Sequence, residues 1–85
     1  MQVRVLYFAS LRERLGIEAE SVELPAGVST AGQLRGLLRD RGGAWAEALA
    51  EQRAVRCAVD REMAGPQTPL APGCEVAFFP PVTGG

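Results

Sequence analysis

Apolar and polar positions along this chain repeat with two different periods, and each change of period marks an element. In residues 2–8, Val3, Val5 and Tyr7 share one parity while Arg4, Leu6 and Phe8 share the other. That pattern predicts a β-branched and aromatic strand with both faces apolar toward its end. Residues 9–15 fit a short helix with Leu11 and Leu15 on one face, Ser10 as its cap and Gly16 as its stop. Residues 18–24 alternate again, Ala19, Ser21 and Glu23 against Glu20, Val22 and Leu24, until Pro25-Ala26-Gly27 breaks the run. The period then lengthens. Leu34, Leu37 and Leu38 fall at i, i+3 and i+4 behind Thr30 and Gln33, which have the spacing of a capping box, so the principal helix starts there and ends at Gly42-Gly43. Gly32 and Gly36 inside it each cost about 1 kcal/mol relative to Ala, which leaves packing of the Leu stripe to hold the helix.

Residues 44–51 suggest a second short helix that anchors Trp45, Ala48 and Leu49 on the core. Val55, Cys57 and Val59 then take the inward parity of another strand, and a brief strand or turn follows at 62–64. Gly65-Pro66 signals a loop, and Ala71-Pro72-Gly73-Cys74 carries the residues of a type II turn. Residues 75–79 close the pattern, with Val76 and Phe78 on one face and Ala77 and Phe79 on the other. This order predicts an α+β fold of the ubiquitin-like β-grasp kind, a mixed sheet packed on one main helix with short extra helices. Residues 1–79 form the domain and 80–85 leave it as an extended tail, because Pro80 lacks the amide that a longer ladder needs. One helix covers one face of such a sheet. Leu6, Phe8 and Phe79 therefore belong to the open face, either as a docking surface or folded beneath a loop.

Composition narrows the chemistry. A chain of 85 residues supports one core but not an enclosed cleft, and 47% apolar with 22% charged residues describes an ordered globular protein. A net charge of -1 gives no reason to expect nucleic acid or an anionic membrane as partner. No stretch approaches the roughly 20 apolar residues of a membrane span, and the start lacks the layout of a signal peptide, so a cytoplasmic location is expected. With no His, the usual proton shuttle near neutral pH is missing, as is the commonest base for a Ser or Cys nucleophile. Cys57 and Cys74 have neither CxxC spacing nor a His to complete a metal site. They are expected as unpaired thiols, Cys57 in the core and Cys74 exposed after its turn. Glu18, Glu20 and Glu23 read as a solvated edge strand, and Arg35, Arg39 and Arg41 as a solvated helix face. All nine basic residues are Arg, either through compositional bias or because an activated carboxyl end is safer without amine side chains nearby.

The closing segment Pro80-Pro81-Val82-Thr83-Gly84-Gly85 is left as the candidate chemistry. Six residues at about 3.3 Å each reach roughly 20 Å. Pro80-Pro81 favours an extended start, and Gly84 and Gly85, without Cβ atoms, fit a channel too narrow for other residues. A carboxyl terminus with a pKa near 3.5 is an anion at neutral pH and a poor electrophile. It must first be activated, for example as an acyl adenylate with ATP, before sulfur or an amine attacks. A domain of this size has no site for that step, so an activating enzyme is implied.

VLYFASLRERLG at 5–16, the capped helix, Trp45 and PGCEVAFFPPVTGG at 72–85 closely resemble the small subunit of molybdopterin synthase, and the resemblance covers nearly the whole chain. It implies a β-grasp protein whose Gly85 is adenylated by a ubiquitin-activating-type enzyme and converted to a thiocarboxylate. A cysteine desulfurase or rhodanese-like protein would supply the sulfur, and ATP would be used by the activating enzyme, with no cofactor or metal bound by this chain. Inserted into the large subunit, the thiocarboxylate would donate sulfur to cyclic pyranopterin monophosphate. Two sulfurs per product imply two charged small subunits and a heterotetramer. By the same resemblance Gly85 carries the sulfur, Gly84 permits close approach, Pro80, Pro81, Val82 and Thr83 form the inserted tail, and Phe8, Met63 and Phe79 face the partner. The chain departs from the family in lacking Lys and in having Cys74 at a turn position that is often polar. A sulfur carrier for thiamine synthesis or tRNA thiolation, and a ubiquitin-like modifier, stand as alternatives.

Overall fold

Parity on the first strand decides where the core sits. Val3, Val5 and Tyr7 of β1 (Gln2–Tyr7) are at most 2% exposed, while Arg4 between them is open to solvent. The computed structural model describes residues 1–81. In chain order β1 is followed by α1 (Ala9–Leu15), β2 (Ala19–Glu23), α2 (Ala31–Arg39), α3 (Gly43–Ala48), β3 (Arg56–Val59), β4 (Glu62–Ala64) and β5 (Glu75–Phe79). The strands form one mixed sheet ordered β2-β1-β5-β3-β4, with β1 and β5 parallel at its centre and every other neighbouring pair antiparallel. Register puts Val3 opposite Val22 and Val5 beside Val76, so inward residues stack from strand to strand. A parallel pair needs a long crossover. The chain between β2 and β5 provides it and lays Leu34 and Leu38 of α2, both fully buried, on the inward face. Each such side chain removed from water contributes about 1.5–3 kcal/mol.

The start of α2 shows how sequence and packing agree. The Gln33 amide donates to Thr30 Oγ1 at 3.2 Å and the Thr30 amide donates to Gln33 Oε1 at 3.2 Å, completing the expected capping box. The next orphan amides are met by the loop before β5, Ala31 N donating to Thr68 O at 3.0 Å and Gly32 N to Pro66 O at 2.9 Å. That approach requires Gly32, because a Cβ there would sit 2.9 Å from the Pro66 carbonyl oxygen. Gly36 has no such neighbour, the nearest atom to its Cβ position being an Arg39 guanidinium nitrogen at 3.9 Å.

Several local expectations need correction. Ser10 does not cap α1; Phe8 holds that position, extended and without a side-chain bond, because its amide continues the β5 ladder by donating to Phe78 O at 3.1 Å. Gly16 does end α1, at φ 70°. Gly42 and Gly43 open α3, since α2 has already stopped at Arg39. Cys74 is buried, not exposed, because it shares the inward parity of Val76 and Phe78. Cys57 is half-buried against the core edge, where burial pushes its thiol up to about 11 and keeps it protonated at neutral pH. The β3–β4 hairpin turns on Asp60 and Arg61, both at positive φ, with Glu75 N donating to Asp60 Oδ1 at 3.0 Å to brace it. Among the described residues no helix is long and apolar enough to cross a membrane.

Candidate functional site

Because side chains alternate across a strand, the residues that do not face α2 build a second surface. Its middle row runs across all five strands as Ala19, Leu6, Ala77, Ala58 and Met63, each the register partner of the next. Four of the five are half-buried by their neighbours, whereas Met63 on the edge strand is 65% exposed. Two residues further along, Phe8 follows Tyr7 as Phe79 follows Phe78 on the parallel neighbour, so the two rings occupy adjacent places. Phe8 is 43% exposed and Phe79 half-buried, with Arg56 opposite Phe79 on β3. Phe8, Met63 and Phe79 thus share one face, the aromatics at the tail end and Met63 two strands from Phe79. Among the described residues no loop covers Phe8. The flat alanine row between them was not singled out by sequence reasoning, although the same parity that assigned Leu6 also assigns Ala77.

β5 ends at Phe79 beside this surface, and Pro80 and Pro81 follow it half-buried. The remaining tail positions, Val82, Thr83, Gly84 and Gly85, lie outside the described residues. Pro80 also lines a groove of about 370 Å³ between α1 and the segment before β3, together with Leu11, Val55, Arg14 and Arg53.

The charged residues of the helical layer behave differently from a solvated face. Arg41 makes two hydrogen bonds to Glu20, at 2.8 and 3.0 Å, and its guanidinium lies 4.4 Å from the Trp45 ring centroid. Glu20 also accepts from the Tyr7 hydroxyl at 2.8 Å, and Trp45 meets Tyr7 edge-on at 5.4 Å between centroids. Burial pushes the Glu20 carboxyl up, but the bonds from Arg41 and Tyr7 outweigh it and hold the group below the usual carboxylate range. Burial first, and the Glu20 carboxylate second, push the Tyr7 hydroxyl upward. Arg35 donates to the carbonyls of Leu49, Ala50 and Arg53, tying α2 to the segment after α3. Glu20, Arg35 and Arg41 are therefore structural ties, and no carboxylate pair placed for acid and base work is formed by Glu18, Glu20 and Glu23. Among the described residues no group of three His, Cys, Asp or Glu side chains could hold a metal ion.

A family model described as ThiS family matches residues 5–85. The chain is 41% identical over 83 residues to the molybdopterin synthase sulfur carrier subunit of Escherichia coli K12, a match covering 98% of this chain and 99% of that one. Its fold superposes on the putative molybdopterin converting factor subunit 1 of Pyrococcus furiosus with a TM-score of 0.79 at 28% identity, over 96% of this chain and 99% of that chain. SAMP1 of Haloferax volcanii superposes with a TM-score of 0.78 at 25% identity, over the full length of both. The ubiquitin-like β-grasp architecture predicted from the element order is thus the observed one.

Proposed function

The chain belongs to the ThiS family, and on that premise we propose that it acts as the sulfur-carrier subunit of a molybdopterin synthase. The observation that carries this reading is the near full-length likeness to a subunit of that name. The central strand β5 supports it by delivering Pro80 and Pro81 out of the sheet beside exposed Phe8, toward a chain end of Gly84-Gly85. In this reading the domain contributes position and the terminus contributes chemistry. The Gly85 carboxylate attacks the α-phosphorus of ATP on a ubiquitin-activating-type enzyme and pyrophosphate leaves. The outer sulfur of a persulfide on a cysteine desulfurase or rhodanese-like donor then attacks the acyl carbon and AMP leaves, giving an acyl disulfide. A thiol reductant cleaves its S–S bond, leaving the donor sulfur in a disulfide with that thiol and releasing the thiocarboxylate. Pro80 to Thr83 carry it into the large subunit, Gly84 allows the close approach, and the sulfur passes to cyclic pyranopterin monophosphate. Two carriers per product fit a heterotetramer of two small and two large subunits. The protonated, half-buried Cys57 and buried Cys74 make poor sulfur relays, which leaves Gly85 as the carrier atom's site. In this reading the carrier works in the cytoplasm with these partners.

Intact-mass measurement after incubation with ATP, the activating enzyme and a sulfur donor should show one oxygen of Gly85 replaced by sulfur. An unchanged mass, with the enzyme proven active on another carrier, overturns the proposal. Charged protein mixed with a synthase large subunit and the pyranopterin precursor should then yield the dithiolene product, which a thiamine or tRNA-thiolation carrier would not give. The likeness to SAMP1 of Haloferax volcanii, a species with a small archaeal modifier protein 1, favours one second reading, a protein modifier. Stable isopeptide conjugates on lysine-bearing proteins would support it.

A further inference from the structure

The groove at the root of the tail brings Pro80 together with two arginines. Arg14 closes α1, Arg53 lies in the segment leading to β3, and both are exposed. No carboxylate lines this groove, and among the described residues neither guanidinium has a carboxylate within 4 Å. Arg56, opposite Phe79 on the neighbouring strand, is likewise exposed, with no carboxylate of the described residues within that distance. Their neighbours are spoken for: Arg41 is held by Glu20, Arg39 lies 3.6 Å from Glu51, and Arg35 is bonded to three carbonyls. Arg53 is nevertheless well placed, since its own carbonyl accepts from Arg35 at 3.0 Å and fixes the backbone that bears it. Between the charges the floor is aliphatic, built from Leu11, Val55 and Pro80.

We propose that this groove docks carboxylates on the rim of the large-subunit channel that receives the tail. The proposal rests on the functional reading above. The tail leaves the domain at Pro80, so a protein that encloses the tail brings the mouth of its channel against Arg14 and Arg53. An apolar rim there would strip water from two unpaired guanidiniums without return, whereas aspartates or glutamates would pair with them in a bidentate geometry. A small net charge, -1 over the chain, argues against a polyanion such as nucleic acid, which needs a larger basic field. Two residues that line the groove, Ser10 and Pro80, closely follow Phe8 and Phe79 in the chain, so an apolar centre and a charged margin would belong to one interface, as is usual for protein contacts.

The test compares binding of the full chain and of the Arg14→Gln/Arg53→Gln variant to the synthase large subunit over a series of salt concentrations. Exposed ion pairs contribute about 0.2–1 kcal/mol each, so at low salt the variant should bind about two- to thirtyfold more weakly, and its affinity should fall less steeply with added salt, the two curves converging at high ionic strength. Arg61→Gln, in the hairpin turn at the opposite end of β3, should follow the unaltered chain. Among the described residues neither substituted side chain makes an internal bond, so thermal midpoints should match and report that the variant is folded. Equal affinity and equal salt dependence overturn the docking groove. Failure of the unaltered chain to bind the large subunit overturns the functional reading instead, and this inference with it.

Discussion

The two faces of this sheet come from the same alternation and meet opposite ends. On the inward face Val3, Val5, Tyr7, Val76 and Phe78 are almost completely buried beneath α2. On the outward face the row from Ala19 to Met63, with Phe8 and Phe79, has the residue types of a core and, among the described residues, no helix over it. Consecutive residues of β5 make the contrast sharp, since Phe78 is 1% exposed and stacks on Tyr7 at 6.4 Å, while Phe79 points the other way and is half-buried. A ring on the first face is needed for folding; a ring on the second is available to a partner. Substituting each in turn should break that pairing most visibly. Phe78→Ala should cost about 3–5 kcal/mol of stability, enough to threaten a domain whose whole margin is about 5–15 kcal/mol. Phe79→Ala should leave a folded protein with a nearly unchanged denaturation midpoint but weaken large-subunit binding by about 1 kcal/mol or more. A Phe79→Ala variant that loses stability and keeps its affinity would show that the outward face belongs to the fold after all.

How far the sequence revealed these faces depends on how local the cause is. Strand parity and the i, i+3, i+4 stripe are written in neighbouring residues, so the core face, α2 and its capping box at Thr30 and Gln33 could be read directly. So could Phe8 and Phe79 on the open face, while Met63 came only through resemblance. The burial of Cys74 was also legible, because positions 74, 76 and 78 share a parity, which prevails over the exposure that a preceding turn suggests. Other features have distant causes. Arg41 and Glu20 are 21 residues apart and meet only because α2 crosses β2, and Arg35 reaches carbonyls 14 to 18 residues on. Asp60-Arg61 forms a tight two-residue hairpin at positive φ without the Gly that usually announces one, so its turn had no sequence signal. The groove of Arg14 and Arg53 joins residues from two segments that no motif connects.

The edge of the inward face tests whether a charge can belong to it. Glu20 sits opposite Val5, on the side of β2 that faces the helices, and its carboxylate is bonded to Tyr7 and Arg41. Glu20→Gln keeps the shape and removes the charge, and should cost about 1–2 kcal/mol at pH 7 in chemical denaturation. The pH dependence has a definite sign. The folded-state pKa is lowered, so the unfolded chain takes up the proton first as pH falls. The contribution is complete above the unfolded value of about 4.3 and is lost as pH falls through the lower folded value. The stability gap between the two proteins should therefore close in acid; a gap that stays constant down to pH 2 would assign the cost to shape alone.

The smallest expected effect concerns the helix that makes the two faces unequal. Gly32 and Gly36 look equivalent in the sequence, one turn apart on α2, yet the loop through Pro66 fills the space above only one of them. At Gly36 neither a clash nor a positive φ opposes a side chain, so Gly36→Ala should stabilise the protein by about 0.5–1 kcal/mol, largely by restricting the unfolded chain. Gly32→Ala should destabilise it, because the Pro66 backbone must retreat from the new methyl group and release the hydrogen bond from the residue 32 amide. Thermal melts of the two variants should move in opposite directions. Two shifts of the same sign would mean that helix propensity, and not the packing of the 65–70 loop on α2, governs how firmly the inward face is covered. In that case the outward face would owe its openness to the absence of a second helix alone, with no contribution from the way the first is fastened.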